Sequence, residues 1–123
     1  MPGRLLFSVV TAADYADQLK QLDATLRNIE GVLDLDRLDR DRAELERAAS
    51  QPDLWDDQAR AQDVTSRLSY ITGEIRRLRR LRSRLDDAYV LLELAEAEGD
   101  AASLAEVGTE LSALRKAIDE LEI

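Results

Sequence analysis

Pro52-Asp53-Leu54-Trp55-Asp56-Asp57 opens, and Ile75-Arg76-Arg77-Leu78-Arg79-Arg80-Leu81-Arg82-Ser83-Arg84-Leu85 closes, the stretch whose spacing decides the fold. At seven-residue steps Ala61, Leu68 and Ile75 form one apolar row, and Val64, Ile71, Leu78 and Leu85 form the other. The alternating steps of three and four are the seam of a helix packed lengthwise on other helices. Roughly 30 residues at about 1.5 Å each make a rod of about 45 Å. Such a rod cannot hide its stripe within itself, so the rest of the chain must supply partners. Pro52 disfavours helix at Gln51, and Asp53 reads as the cap of the long helix, with Asp56 in the capping-box position.

Working outward, Thr11 is a cap with Asp14 three residues on, and Ala12, Tyr15, Leu19, Leu22, Leu26, Ile29 and Leu33 step 3-4-3-4-3-4. Gly31 is expected to end or bend that helix. A second helix is expected over residues 34–49, with Leu35, Leu38, Leu45 and Ala49 inward and Arg42 out of place in the seam. Asp86-Asp87 is read as the next cap, opening a short helix at 88–98 that is apolar on more than one face and sandwiched between neighbours. Gly99-Asp100 ends it and caps a last helix stepping through Leu104, Val107, Leu111, Leu114, Ile118 and Leu121. That seam is still running at Ile123, as expected of a segment of something longer. Residues 1–10 show no helical period and are expected to be an unordered leader. The expected architecture is all-α: an elongated antiparallel, coiled-coil-like bundle of about five helices over residues 11–123.

Composition agrees. Aromatics are 4% and charged residues 35%, suiting narrow seams of Leu and Ala rather than a sheet. The net charge of −9 repels nucleic acid unless a local patch overrides it. With no Cys and no His, disulfides, thiolate metal sites and a histidine base are excluded. No window approaches a membrane span. The cytoplasm is the expected location, and no cofactor, metal or small-molecule substrate is expected.

The sharpest chemical feature is the arginine run. Arg76, Arg77, Arg80 and Arg84 share the face opposite the seam, as a patch for RNA phosphate or an acidic protein, or else as a solvated face balanced by neighbouring acids. Arg82 points into the seam and is expected to pair with an acid of another helix. The acids, including Asp34, Asp36, Asp39 and Asp41, read as caps and exposed faces, since no DxDxDG loop is present. Asp53, Trp55, Leu68, Ile75 and Leu78 are expected as structural anchors. Trp55 is read as a core anchor, with an exposed binding hot spot as the alternative. No nucleophile–base pair or phosphate loop is found, so the residues describe an interaction module, not an enzyme.

From Glu44 through Pro52-Asp53-Leu54-Trp55-Asp56-Asp57 to Arg60-Ala61-Gln62, the chain resembles the N-terminal helical domain of the bacterial peptide chain release factor 2 family. The likeness extends to Leu91-Leu92-Glu93-Leu94-Ala95-Glu96, to Leu121-Glu122 and back to Leu22-Asp23 and Gly31-Val32-Leu33-Asp34, covering about 11–123. The resemblance implies translation termination at UGA and UAA codons. It also implies docking on the large-subunit stalk base of the ribosome and an influence on the termination GTPase. The family's Ser-Pro-Phe codon-reading tripeptide and Gly-Gly-Gln loop are not in this sequence. No decoding or hydrolysis residue carries over, and no peptide release is expected from this segment by itself. A monomer is the expected state. Two alternatives remain: a self-associating coiled-coil scaffold, and an RNA-binding helical arm.

Overall fold

The computed structural model describes residues 11–121, so the leader expected over residues 1–10 lies outside them. The described residues hold four α-helices, one 3-10 turn and no strand: α1 Ala12–Leu33, α2 Leu35–Ala49, the turn Leu54–Asp56, α3 Gln58–Glu98 and α4 Ala101–Leu121. They gather into two compact units. Residues 11–28 and 81–121 make one, and Ile29–Arg80 the other.

The first unit is a three-helix bundle. Leu19, Leu22 and Leu26 of α1, Leu81, Leu85, Ala88, Leu92 and Ala95 of α3, and Val107, Leu111, Leu114 and Ile118 of α4 are buried together. Each fully buried leucine or isoleucine contributes roughly 1.5–3 kcal/mol before ordering costs. One polar pair clasps each helix–helix seam. Arg82 donates to Asp23 across α3 and α1, Arg84 Nε to Glu110 Oε1 across α3 and α4 at 2.9 Å, and Arg115 to Gln18 Oε1 across α4 and α1 at 2.9 Å. Arg82 therefore has the acid on another helix that its seam position demanded. Tyr89 sits by the first clasp, where burial, and then the Asp23 carboxylate, raise its phenol above the ordinary value. A Cβ at Gly108 would meet the Tyr15 ring, 2.9 Å from Cζ, so α1 and α4 approach through a missing side chain.

The caps of this unit follow the sequence. Thr11 N–H donates to Asp14 Oδ2 at 3.0 Å and Asp14 N–H to Thr11 Oγ1 at 3.1 Å, a reciprocal capping box with aspartate in place of glutamate. The Thr11 N–H, and then its hydroxyl, hold the Asp14 carboxyl below its ordinary value. Gly99, at φ 62°, closes α3: Gly99 N–H reaches Glu96 O at 3.4 Å and Asp100 N–H reaches Ala95 O at 3.1 Å, the paired bonds of a Schellman end. Asp100 at once caps α4 by accepting from Ala102 N–H at 3.0 Å and from the Ser103 hydroxyl at 2.8 Å. Those bonds, the Ser103 hydroxyl's first, also hold the Asp100 carboxyl below its ordinary value.

The second unit is a helical hairpin, α2 against the first half of α3. Its seam centres on Leu54, Ala61 and Val64, with Leu45, Ala48 and Ala49 half-buried against them. No residue of α2 is buried. A polar network replaces missing apolar depth: Arg79 donates to Asp39 at 2.6 Å, and Arg42 lies 3.2 Å from Asp39 and 3.7 Å from Glu46. Arg42 thus occupies its seam position through its charge.

Four expectations are corrected. Gly31 does not end α1. The chain turns at Asp34, in the left-handed region (φ 54°), and its carboxylate accepts from Arg37 N–H at 3.2 Å. Aspartate tolerates that conformation and caps the next helix with the same side chain. Asp86-Asp87 does not start a helix. Both are exposed on the outer face of α3, while the buried row runs on through Leu85, Ala88, Leu92 and Ala95. With no Gly or Pro between Glu74 and Glu98 to stop it, α3 spans 41 residues, and four helices replace five. Its last part is not sandwiched, because Val90 and Leu94 are exposed. Finally, Asp53 does not cap α3. Its backbone (φ −95°, ψ 7°) leads into the 3-10 turn with no side-chain cap bond, whereas Asp57 has the extended conformation a cap needs (φ −120°, ψ 100°). Asp57 Oδ1 accepts from Arg60 N–H at 3.1 Å.

Candidate functional site

The exposed features of the hairpin are the candidates for function. The turn that links its helices comes first. Leu54 N–H donates to Gln51 O at 3.2 Å, Asp56 N–H to Asp53 O at 3.1 Å and Asp57 N–H to Leu54 O at 3.4 Å. This wound backbone sends Leu54 inward, 1% exposed, and Trp55 outward, 61% exposed. Trp55 is thus not the core anchor; Leu54 is. Two apolar neighbours one residue apart in so tight a turn cannot both face the seam, and the leucine fits between Ala61 and Val64. Asp53, Asp56 and Asp57 flank Trp55 in the chain, all exposed, and none is ion-paired with a described residue. Covering a side chain of this size would remove on the order of 100 Å² of surface from water, about 2–3 kcal/mol of driving force.

The second feature is the arginine face of α3. Arg76, Arg77 and Arg80 are exposed in the hairpin unit. Arg77 lies 3.4 Å from Glu74, while Arg76 and Arg80 make no ion pair with any described residue. Arg84, expected beside them, belongs to the three-helix unit, where its guanidinium is held by Glu110. Arg79, on the flank, is committed to Asp39. The run therefore yields two open cations and one shared cation. Tyr70, 69% exposed, precedes them on the same helix with Gly73 between, whose absent side chain leaves open space. At about 100° per residue, Tyr70, Gly73, Arg77 and Arg80 fall on one face. Among the other expected anchors, Ile75 and Leu78 are buried and Leu68 is half-buried.

Sequence reasoning preferred a buried Trp55 and carried the outward one only as the alternative. The only available signal was negative: a tryptophan outside any helical period has no face assigned to it. No group of three or more Asp or Glu among the described residues is arranged to hold a metal. No described helix is long and apolar enough to cross a membrane.

Comparison with known proteins places these features. The PCRF domain family matches residues 38–123, which include most of α2 and all of the turn, α3 and α4. Peptide chain release factor 2 of Salinispora tropica is 70% identical over 114 residues, 93% of this chain and 31% of the relative. The protein of that name from Acidothermus cellulolyticus is 54% identical over 110 residues, 89% of this chain and 30% of its own length. That from Streptomyces avermitilis is 46% identical over 114 residues, with 93% and 31% covered. The chain spans about a third of the length of the curated relatives it matches.

Proposed function

The chain belongs to the PCRF domain family, and from that premise we propose that it is the accessory N-terminal domain of a peptide chain release factor. It acts in translation termination at UGA and UAA codons by docking on the stalk base of the large ribosomal subunit, and it bears there on the termination GTPase. It needs no cofactor and acts as a monomer in the cytoplasm. It releases no peptide by itself, because its residues include no Gly-Gly-Gln loop and no Ser-Pro-Phe tripeptide.

The observation that carries this reading is the 70% identity to a release factor 2 across 93% of the chain. The surface supports it: a helical hairpin presents an outward tryptophan and two uncommitted arginines, features of a docking element. The test is sedimentation of the purified chain with ribosomes, and with an isolated stalk base, at low and moderate salt. Co-sedimentation that an excess of stalk base abolishes is expected. No association at low salt would overturn the docking role.

A second reading, an RNA-binding arm, is favoured by Arg76 and Arg80 alone. Under it, replacing both by Gln should flatten the salt dependence of ribosome binding by about two phosphate contacts. An unchanged slope removes it.

A further inference from the structure

From the Trp55 turn we infer that the hairpin carries a protein-binding anchor, whose partner presents an apolar pocket rimmed by Lys or Arg. The inference rests on the docking role proposed above and names the residue and the partner chemistry that role requires.

Three observations converge. First, Trp55 stands 61% exposed, although the seam beside it takes in Leu54, Ala61 and Val64. Second, the turn is already rigid. Three backbone hydrogen bonds wind it, buried Leu54 pins it to the seam, and Asp57 locks it to the start of α3. An aromatic presented on a fixed backbone loses little freedom when it binds. Third, the rim has one sign. Asp53, Asp56 and Asp57 flank Trp55 in the chain, all exposed and without an ion pair to any described residue. The nearest cations along the chain, Arg47 and Arg60, lie in the flanking helices. An exposed indole on a turn that carries three exposed carboxylates complements an apolar pocket flanked by cations. It repels a phosphate backbone, so this partner is protein and not RNA.

Trp55 is the chain's single tryptophan, and it reports on its own burial. The test adds three probes to the whole chain: the stalk-base ribosomal protein, the stalk-base ribosomal RNA fragment, and intact ribosomes. A Trp55→Phe chain serves as the fluorescence blank. With the protein component, Trp55 emission should shift to the blue and acrylamide quenching should fall. The RNA fragment alone should change neither. Trp55→Ala should keep its helical circular dichroism and weaken ribosome binding by about 30-fold, with Trp55→Phe recovering most of the loss. If ribosomes bind while Trp55 stays quenchable, or if Trp55→Ala binds like the parent, the anchor is refuted and docking stands on another surface. A blue shift with RNA alone would replace the protein partner by base stacking and overturn the inference. Absence of all binding would refute the docking role, and the anchor with it.

Discussion

The two units differ in where their apolar surface goes. The three-helix unit buries twelve apolar residues, drawn from all three of its helices. The hairpin buries five, all from the turn or α3 and none from α2. Charge divides unevenly as well. Thirteen acids stand against six bases in residues 11–28 and 81–121, but twelve acids against ten arginines in Ile29–Arg80. The first unit is a shared core under an acidic coat. The hairpin is a thin seam reinforced by Arg79, Asp39 and Arg42, with its aromatic and cationic surface left open. Elements with few buried contacts open at lower free energy than a well-packed core. The features best suited to meeting a partner thus sit on the unit with least to hold it rigid, apart from the wound turn.

The largest test of that contrast is Leu114→Ala in the three-helix core, where the side chain is 0% exposed. A loss of about 3–5 kcal/mol in chemical denaturation is expected, with faster amide exchange across α1 and α4. Leu54→Ala should cost about 2–3 kcal/mol, and hydrogen exchange should quicken mainly in α2 and the start of α3. Equal exchange rates in α2 and α4 of the parent protein would break the comparison outright. Glycine substitutions come next. Gly73→Ala, which meets open space on a helical surface, should stabilise by about 0.5–1 kcal/mol. Gly108→Ala should destabilise despite the same helical gain, because its Cβ collides with the Tyr15 ring. Thermal melts of both variants read the opposite signs.

Acid gives a smaller effect, located in the three-helix unit. Asp14 and Asp100 have lowered carboxyl values when folded. Their contribution is complete above the ordinary carboxylate range and fades as pH falls through the lowered native value. Asp100→Asn keeps a capping oxygen and removes the titration. Its helicity at 222 nm should therefore fall less on acidification than the parent's. The smallest stability effect belongs to Trp55→Ala, expected within about 0.5 kcal/mol of the parent. A loss of several kcal/mol would mean that the indole is a core residue after all.

Much of this was legible in the residues, for reasons that also explain the misses. The Thr11–Asp14 box and the Gly99-Asp100 turn were readable because each is set by chemistry within a few residues. The buried rows of α1 and α4 followed from their 3-4 spacing. Arg82 could be assigned an acid because a charge in an apolar seam requires one. The break at Asp86-Asp87 was misread because two acids look alike as a cap and as the wet side of a longer helix. Only the unbroken row of Leu85, Ala88 and Leu92 distinguishes them. Trp55 was misassigned because a turn has no period from which to take a phase. The arginine run was visible, but its commitments were not. Glu110 holds Arg84 from 26 positions away, and Asp39 holds Arg79 from 40.

The three-helix unit is also discontinuous, with α1 and the end of α3 separated by the whole hairpin. During synthesis that separation becomes a delay. Leu19, Leu22 and Leu26 emerge early, yet the apolar residues they must meet begin at Leu81 and end with Ile118. At about 5–20 residues per second, the stripe of α1 waits several seconds for its partners, while the hairpin can already close. The least buried part of the molecule is therefore the first able to fold. The α1 stripe is the surface a nascent-chain chaperone would meet.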